Sequence, residues 1–134
     1  MNRILLLLIV IFFISCKSNK ERLNDRISDS WSIEEFYYLD EDHMDSLRYN
    51  VISFNFPNQG DIYIPKSYGQ EGERSRFELI NHNGTFKIEI YSKNEVFNGL
   101  YNVNWVDKGS GIKQLNLVSE KVSIKAYKKG FGEF

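Results

Sequence analysis

The sequence predicts an all-β domain, a small antiparallel up-and-down barrel of about eight strands. Three observations carry that expectation. Apolar residues alternate at period two: Ile52, Phe54 and Phe56 face one way against Val51, Ser53 and Asn55, and Phe86, Ile88 and Ile90 do the same against Lys87, Glu89 and Tyr91. Between such runs lie clusters that tolerate positive φ, among them Pro57-Asn58-Gln59-Gly60, Asn81-His82-Asn83-Gly84, Asn98-Gly99 and Asp107-Lys108-Gly109-Ser110-Gly111. No segment keeps the helical spacing of apolar residues for three turns.

Taken in order, the chain opens on Met1-Asn2-Arg3 and an uninterrupted apolar run from Ile4 to Ile14, followed by Ser15-Cys16. A basic start, an apolar segment of this length and a small residue before the cut describe an export signal over residues 1–15. The run is too short to span a bilayer, because at 1.5 Å per residue it covers about half of a roughly 30 Å hydrocarbon core. Cys16 is the only cysteine, so an exported chain has no intramolecular disulfide partner for it. Phe13-Ile14-Ser15-Cys16 resembles the lipobox of bacterial lipoproteins. The resemblance implies cleavage before Cys16, acylation of that cysteine with fatty chains such as palmitate, and attachment to a membrane. By the same resemblance Lys17, where an aspartate would retain the protein at the inner membrane, points to the outer membrane, and Lys17-Ser18-Asn19-Lys20 lacks the acidic run of surface-exported lipoproteins, which leaves the periplasmic face.

Residues 16–30 read as the lipidated cysteine and a polar tether. Leu23 and Ile27, four apart, fit one amphipathic turn, but the composition favours a flexible coil of about 20 Å root-mean-square span. Residues 31–134 are the size of one domain. Strands are expected at about 31–39, 49–56, 61–65, 76–81, 85–92, 99–106, 112–118 and 121–128, with exposed loops at Asp40–Arg48 and Lys66–Ser75. Mostly short connections favour antiparallel neighbours, and a meander with one apolar face hides it by closing into a barrel or folding into two sheets. The chain carries 17 basic and 18 acidic side chains, a net charge of −1, which becomes −2 when Arg3 leaves with the signal. That balance argues against non-specific nucleic-acid binding.

The order of these strands resembles the lipocalin-like small lipoproteins of the Bacteroidetes type. Trp31 opens the first strand after a polar lead-in; Ile52-Ser53-Phe54-Asn55-Phe56-Pro57-Asn58-Gln59-Gly60, Phe97-Asn98-Gly99-Leu100-Tyr101-Asn102-Val103 and Leu115-Asn116-Leu117-Val118-Ser119 carry the rest. The resemblance implies a lipocalin-like barrel with either a small lumen for one ligand or a filled interior. The residues expected to line the interior, and any ligand there, are Trp31, Phe54, Phe56, Phe77, Phe86, Tyr101 and Trp105, together with Ile33, Leu79, Ile88 and Leu117. Trp31 and Trp105 both fall on an apolar face and read as core.

Other polar groups read as surface. Asp40-Glu41-Asp42-His43-Met44-Asp45 could offer oxygen ligands, but the sixth and twelfth positions of a calcium loop would be Asp45 and Val51 instead of glycine and glutamate, so a solvated loop is expected. Two histidines, His43 and His82, make no zinc set and support no Ser-His-Asp arrangement. Asn83-Gly84-Thr85 matches a eukaryotic glycosylation sequon. Asp45-Ser46-Leu47 resembles the short O-glycosylation motif of some Bacteroidetes exported proteins, which would place a sugar on Ser46. Phe134 matches the last residue of outer-membrane barrels, but Lys87, Glu89, Lys121 and Lys125 break any lipid-facing band. The expected protein is therefore a non-enzymatic envelope lipoprotein without metal or cofactor, holding a small apolar ligand or an envelope protein partner. The competing class is a structural or assembly factor with a solid barrel.

Overall fold

The computed structural model describes residues 17–66 and 73–129. The expected signal, Cys16, part of the second long loop and Phe134 lie outside the described residues. Helix α1 (Asn19–Ile27) leads into β1 (Asp29–Tyr38), β2 (Glu41–Asp42), β3 (Val51–Phe54), β4 (Asp61–Ile64), β5 (Glu73–His82), β6 (Thr85–Tyr91), β7 (Gly99–Gly109), β8 (Ile112–Val118) and β9 (Val122–Lys129). Every neighbouring pair is antiparallel, in the order β2-β1-β3-β4-β5-β6-β7-β8-β9, and β1 also pairs with β9. That seam closes eight strands into a lipocalin-like barrel and removes the free edges a meander would otherwise expose. The two-residue β2 lies outside the ring, folded back on the far end of β1 at Tyr37↔Asp42.

Strand direction sorts the connections to two ends. α1, the β3–β4 turn and the turns at Asn83-Gly84 and Ser110-Gly111 lie at one end, where β1 begins and β9 finishes. Residues 39–50, 92–98 and 119–121 lie at the other, which we call the rim. The hairpin turns use the positive-φ residues that the sequence supplies, Asn83 (φ 52°) with Gly84 (φ 83°) and Ser110 (φ 50°) with Gly111 (φ 73°).

Each of the eight expected strands is present, and the differences lie in register and at the ends. β1 keeps Trp31 and Ile33 inward, then shifts register between Ile33 and Glu35, so that Phe36 is the next residue to face the core. This β-bulge breaks the alternation by one residue. β3 stops at Phe54, because Asn55 turns left-handed at φ 57°. Phe56, expected inward, therefore leaves the ladder and is 60% exposed ahead of the cis peptide to Pro57. The loop expected at Asp40–Arg48 holds β2 and one 3-10 turn, Met44–Ser46, and Ser75, expected in a loop, is buried in β5.

The largest departure concerns the tether. Asn19–Ile27 is a helix packed on the barrel, with Ile27 fully buried and Leu23 against the core. Ser18 caps it, its Oγ accepting from the Glu21 amide at 3.2 Å. The other terminus is tied to two strands and the β3–β4 turn. Trp31 Nε1 on β1 donates to the Ile27 carbonyl at 2.8 Å, and Lys128 Nζ on β9 donates to the Ser28 carbonyl at 2.9 Å. Asn55, just beyond β3, donates from Nδ2 to Asn24 Oδ1 (3.0 Å) and Ser28 Oγ (2.8 Å), and its Oδ1 accepts from the Gly60 amide (2.9 Å). The last carbonyls of the helix thus find donors, one of them a cation placed favourably against the helix dipole.

Asn55 holds the helix and the β3–β4 turn with one side chain, in a left-handed backbone conformation that costs asparagine less than alanine. Asn55→Ala is expected to cost about 1–3 kcal/mol. A lowered denaturant midpoint with faster amide exchange confined to α1 and residues 55–60 checks it.

Candidate functional site

The interior was the first place the sequence directed attention, and it is filled. Trp31, Phe36, Phe54, Phe97 and Tyr101 are all fully buried, accompanied by Ile33, Ile52, Ile62, Ile64, Ile88, Leu115 and Leu117. Phe36 stacks on Phe97 with ring centroids 5.3 Å apart and planes 7° off parallel, and Phe54 meets Phe77 edge-on at 5.2 Å. Such offset and edge contacts leave the rings touching each other. Tyr101 Oη donates to the Phe97 carbonyl at 2.8 Å, and burial pushes its phenol well above the ordinary tyrosine range.

Of the seven expected lining residues, Trp31, Phe54, Phe77 and Tyr101 meet in this core. Phe86 and Trp105 are half-buried near the helical end, and Phe56 lies outside. Trp105 sits between two cations, with Arg26 of α1 4.9 Å and Lys113 of β8 5.6 Å from its ring centroid. Sequence reading missed Phe36, Phe97 and Ile27. Phe97 lies in a connection, and its one signal was an aromatic residue just before the Asn98-Gly99 turn.

Open grooves occur on the outside. One of about 450 Å³ runs between α1 and β5, lined by Lys20, Glu21, Asn24, Gln59, Phe77 and Leu79. Another of about 580 Å³ lies on the outer face near the rim, where exposed Leu100 and Val118 are flanked by Lys87 and Lys121.

Among the described residues the buried carboxylate is Asp61, at the start of β4. Its side chain is 4% exposed, 2.7 Å from Arg74 and 3.6 Å from Arg76, two residues apart on the outer face of β5. Burial pushes the carboxyl up, but the Arg74 guanidinium and hydrogen bonds from Asn58 outweigh it and hold the group below the usual carboxylate range. A depressed carboxylate contributes stability that is present above the unfolded value near 4 and is lost as pH falls through the lower folded value. Acid titration of the denaturant midpoint is expected to show this loss below about pH 4, and Asp61→Asn is expected to flatten that limb. This is a structural role: Asp61 closes the β3–β4 turn, its amide donating to the Asn58 carbonyl and its carbonyl accepting from Asn55.

Ser46 is half-buried in the 3-10 turn, its hydroxyl donating to the His43 carbonyl at 2.6 Å. His43 lies 3.7 Å from Glu41, and among the described residues no three His, Cys, Asp or Glu side chains gather as a metal set. No helix among the described residues is long and apolar enough to cross a membrane. No family model, curated protein or solved structure matches the chain.

Proposed function

We propose that this protein is a lipid-anchored, non-enzymatic component of the bacterial envelope, held through Cys16 on the periplasmic face of the outer membrane, whose solid lipocalin-like barrel presents its outer surface to a protein partner. The observation that supports the solid-body reading over a carrier of apolar molecules is the packed interior, in which fully buried aromatic rings contact one another. A site for an apolar ligand needs those rings to line a gap. The lipobox-like Phe13-Ile14-Ser15-Cys16 supports the anchor.

An environment-sensitive apolar dye, titrated into the chain from Lys17 onward, is expected to show no saturable single site. Phe54→Trp is expected to overpack the core and cost about 1–3 kcal/mol. Single-site dye binding in the native chain, lost in a Phe54→Trp variant of undiminished stability, would instead establish a carrier. The anchor is checked separately: mass spectrometry is expected to find an acylated mature N-terminus at Cys16, with uncleaved, unacylated chain in Cys16→Ser.

A further inference from the structure

We infer that the helical end of the barrel is seated directly on an anionic lipid surface, so that the domain is held in one orientation with its acidic rim pointing away from the membrane. The inference rests on the anchor at Cys16 and on the structure of the segment just after it.

Only Lys17 and Ser18 separate Cys16 from the first helical residue, Asn19. Both are engaged: Lys17 Nζ lies 2.7 Å from Asp25, about two helical turns further along, and Ser18 is the N-cap. Fully extended, three residue steps reach about 10 Å, half the span of the coil expected from composition. Downstream there is no slack either. Ile27 is fully buried, and Trp31, Lys128 and Asn55 tie the last turn to β1, β9 and the β3–β4 turn. A lipid attached at Cys16 therefore places the helical end of the barrel within headgroup distance, and the helix acts as a short rigid strut in place of a tether.

The chemistry of the two ends agrees with that placement. At the helical end Lys17 pairs with Asp25 and Lys113 with Asp107, which leaves Lys20, Arg22, Arg26 and Lys108 exposed against Glu21, Asp29 and Glu78. Phe56, 60% exposed in the β3–β4 turn, adds an apolar side chain at the same end. Basic residues with an aromatic among them suit a surface of anionic headgroups over acyl chains. At the rim, exposed Asp40, Glu41, Asp42, Asp45, Glu95 and Glu120 outnumber Arg48, Lys93 and Lys121, so that such a surface repels this end on balance.

The test uses the full-length acylated protein in vesicles of phosphatidylglycerol and phosphatidylethanolamine containing a headgroup spin-labelled phospholipid. Since the one native cysteine carries the lipid, a fluorophore attaches uniquely to Asn58→Cys at the helical end or to Glu120→Cys at the rim. Quenching several-fold stronger at position 58 than at 120, reduced in the Lys20→Glu/Arg22→Glu variant, is the expected result. Equal quenching at the two positions, or stronger quenching at 120, with acylation of Cys16 verified by mass, overturns the seating and leaves the anchor standing. A mature chain without acyl mass on Cys16 overturns the anchor and the seating with it.

Discussion

Replacing Trp31 by alanine is expected to cost about 3–5 kcal/mol, a large fraction of the total stability of a domain this size. The ring is fully buried, so its removal opens a cavity that the surrounding strands close only in part. Trp31 also supplies the donor for the Ile27 carbonyl and the face over which Lys128 lies at 5.0 Å. Losing it leaves a helix-terminal acceptor buried without its partner and removes one of the three ties to α1. A denaturant midpoint that falls together with loss of helix protection in amide exchange is the expected signature; a midpoint unchanged from wild type would contradict the packing. Trp105→Ala is expected to cost less, because that ring is half-buried and two of its neighbours are the cationic ends of Arg26 and Lys113.

Phe97→Ala is expected to cost a comparable 3–5 kcal/mol, although the residue sits in a connection outside any strand. Its ring is fully buried and stacked on Phe36, and its carbonyl accepts from the buried Tyr101 hydroxyl. The turn around it is organised by Asn94, whose carbonyl accepts from the amides of Phe97 and Asn98 and whose Oδ1 accepts from Val96. Phe97 thus works as a plug at the rim end of the barrel. The pairing with Phe36 is separable from the burial: in a double-mutant cycle with Phe36→Ala, a coupling of about 0.5–1.5 kcal/mol is expected. Additive single-mutant effects would mean that the two rings do not depend on each other.

Much of this architecture is legible in the chain. Alternation located all eight barrel strands, since a strand with one buried face must repeat apolar residues every second position. Asn and Gly clusters located the turns for an equally local reason. The misreadings share another cause. Phe56 lies one step beyond a residue that turns left-handed, and Phe36 lies one step beyond a bulge. Alternation carries no mark of either event, and each reverses the face taken by the next residues of the strand. The segment before β1 was misread as a coil because its nine helical residues hold only two large apolar side chains. Its local signals were present all the same: Ser18 three residues ahead of Glu21 is a capping-box spacing, and Leu23 and Ile27 are one turn apart.

By itself, then, the sequence determined the all-β class, the eight barrel strands and their order, and most of the turn positions, because each of these is written in residues close together along the chain. Only the tertiary structure decided three things. It joined β1 to β9, a contact between opposite ends of the domain, and so made the sheet a closed barrel. It brought Phe97 onto Phe36 and Phe77 onto Phe54, filling the interior with rings that stand far apart in sequence. And it docked α1, whose nine residues are too few to form a stable helix in water alone, by burying Ile27 and supplying Trp31, Asn55 and Lys128 from three distant segments. The common physical reason is that these outcomes depend on long-range contacts, whose partners a local pattern does not name.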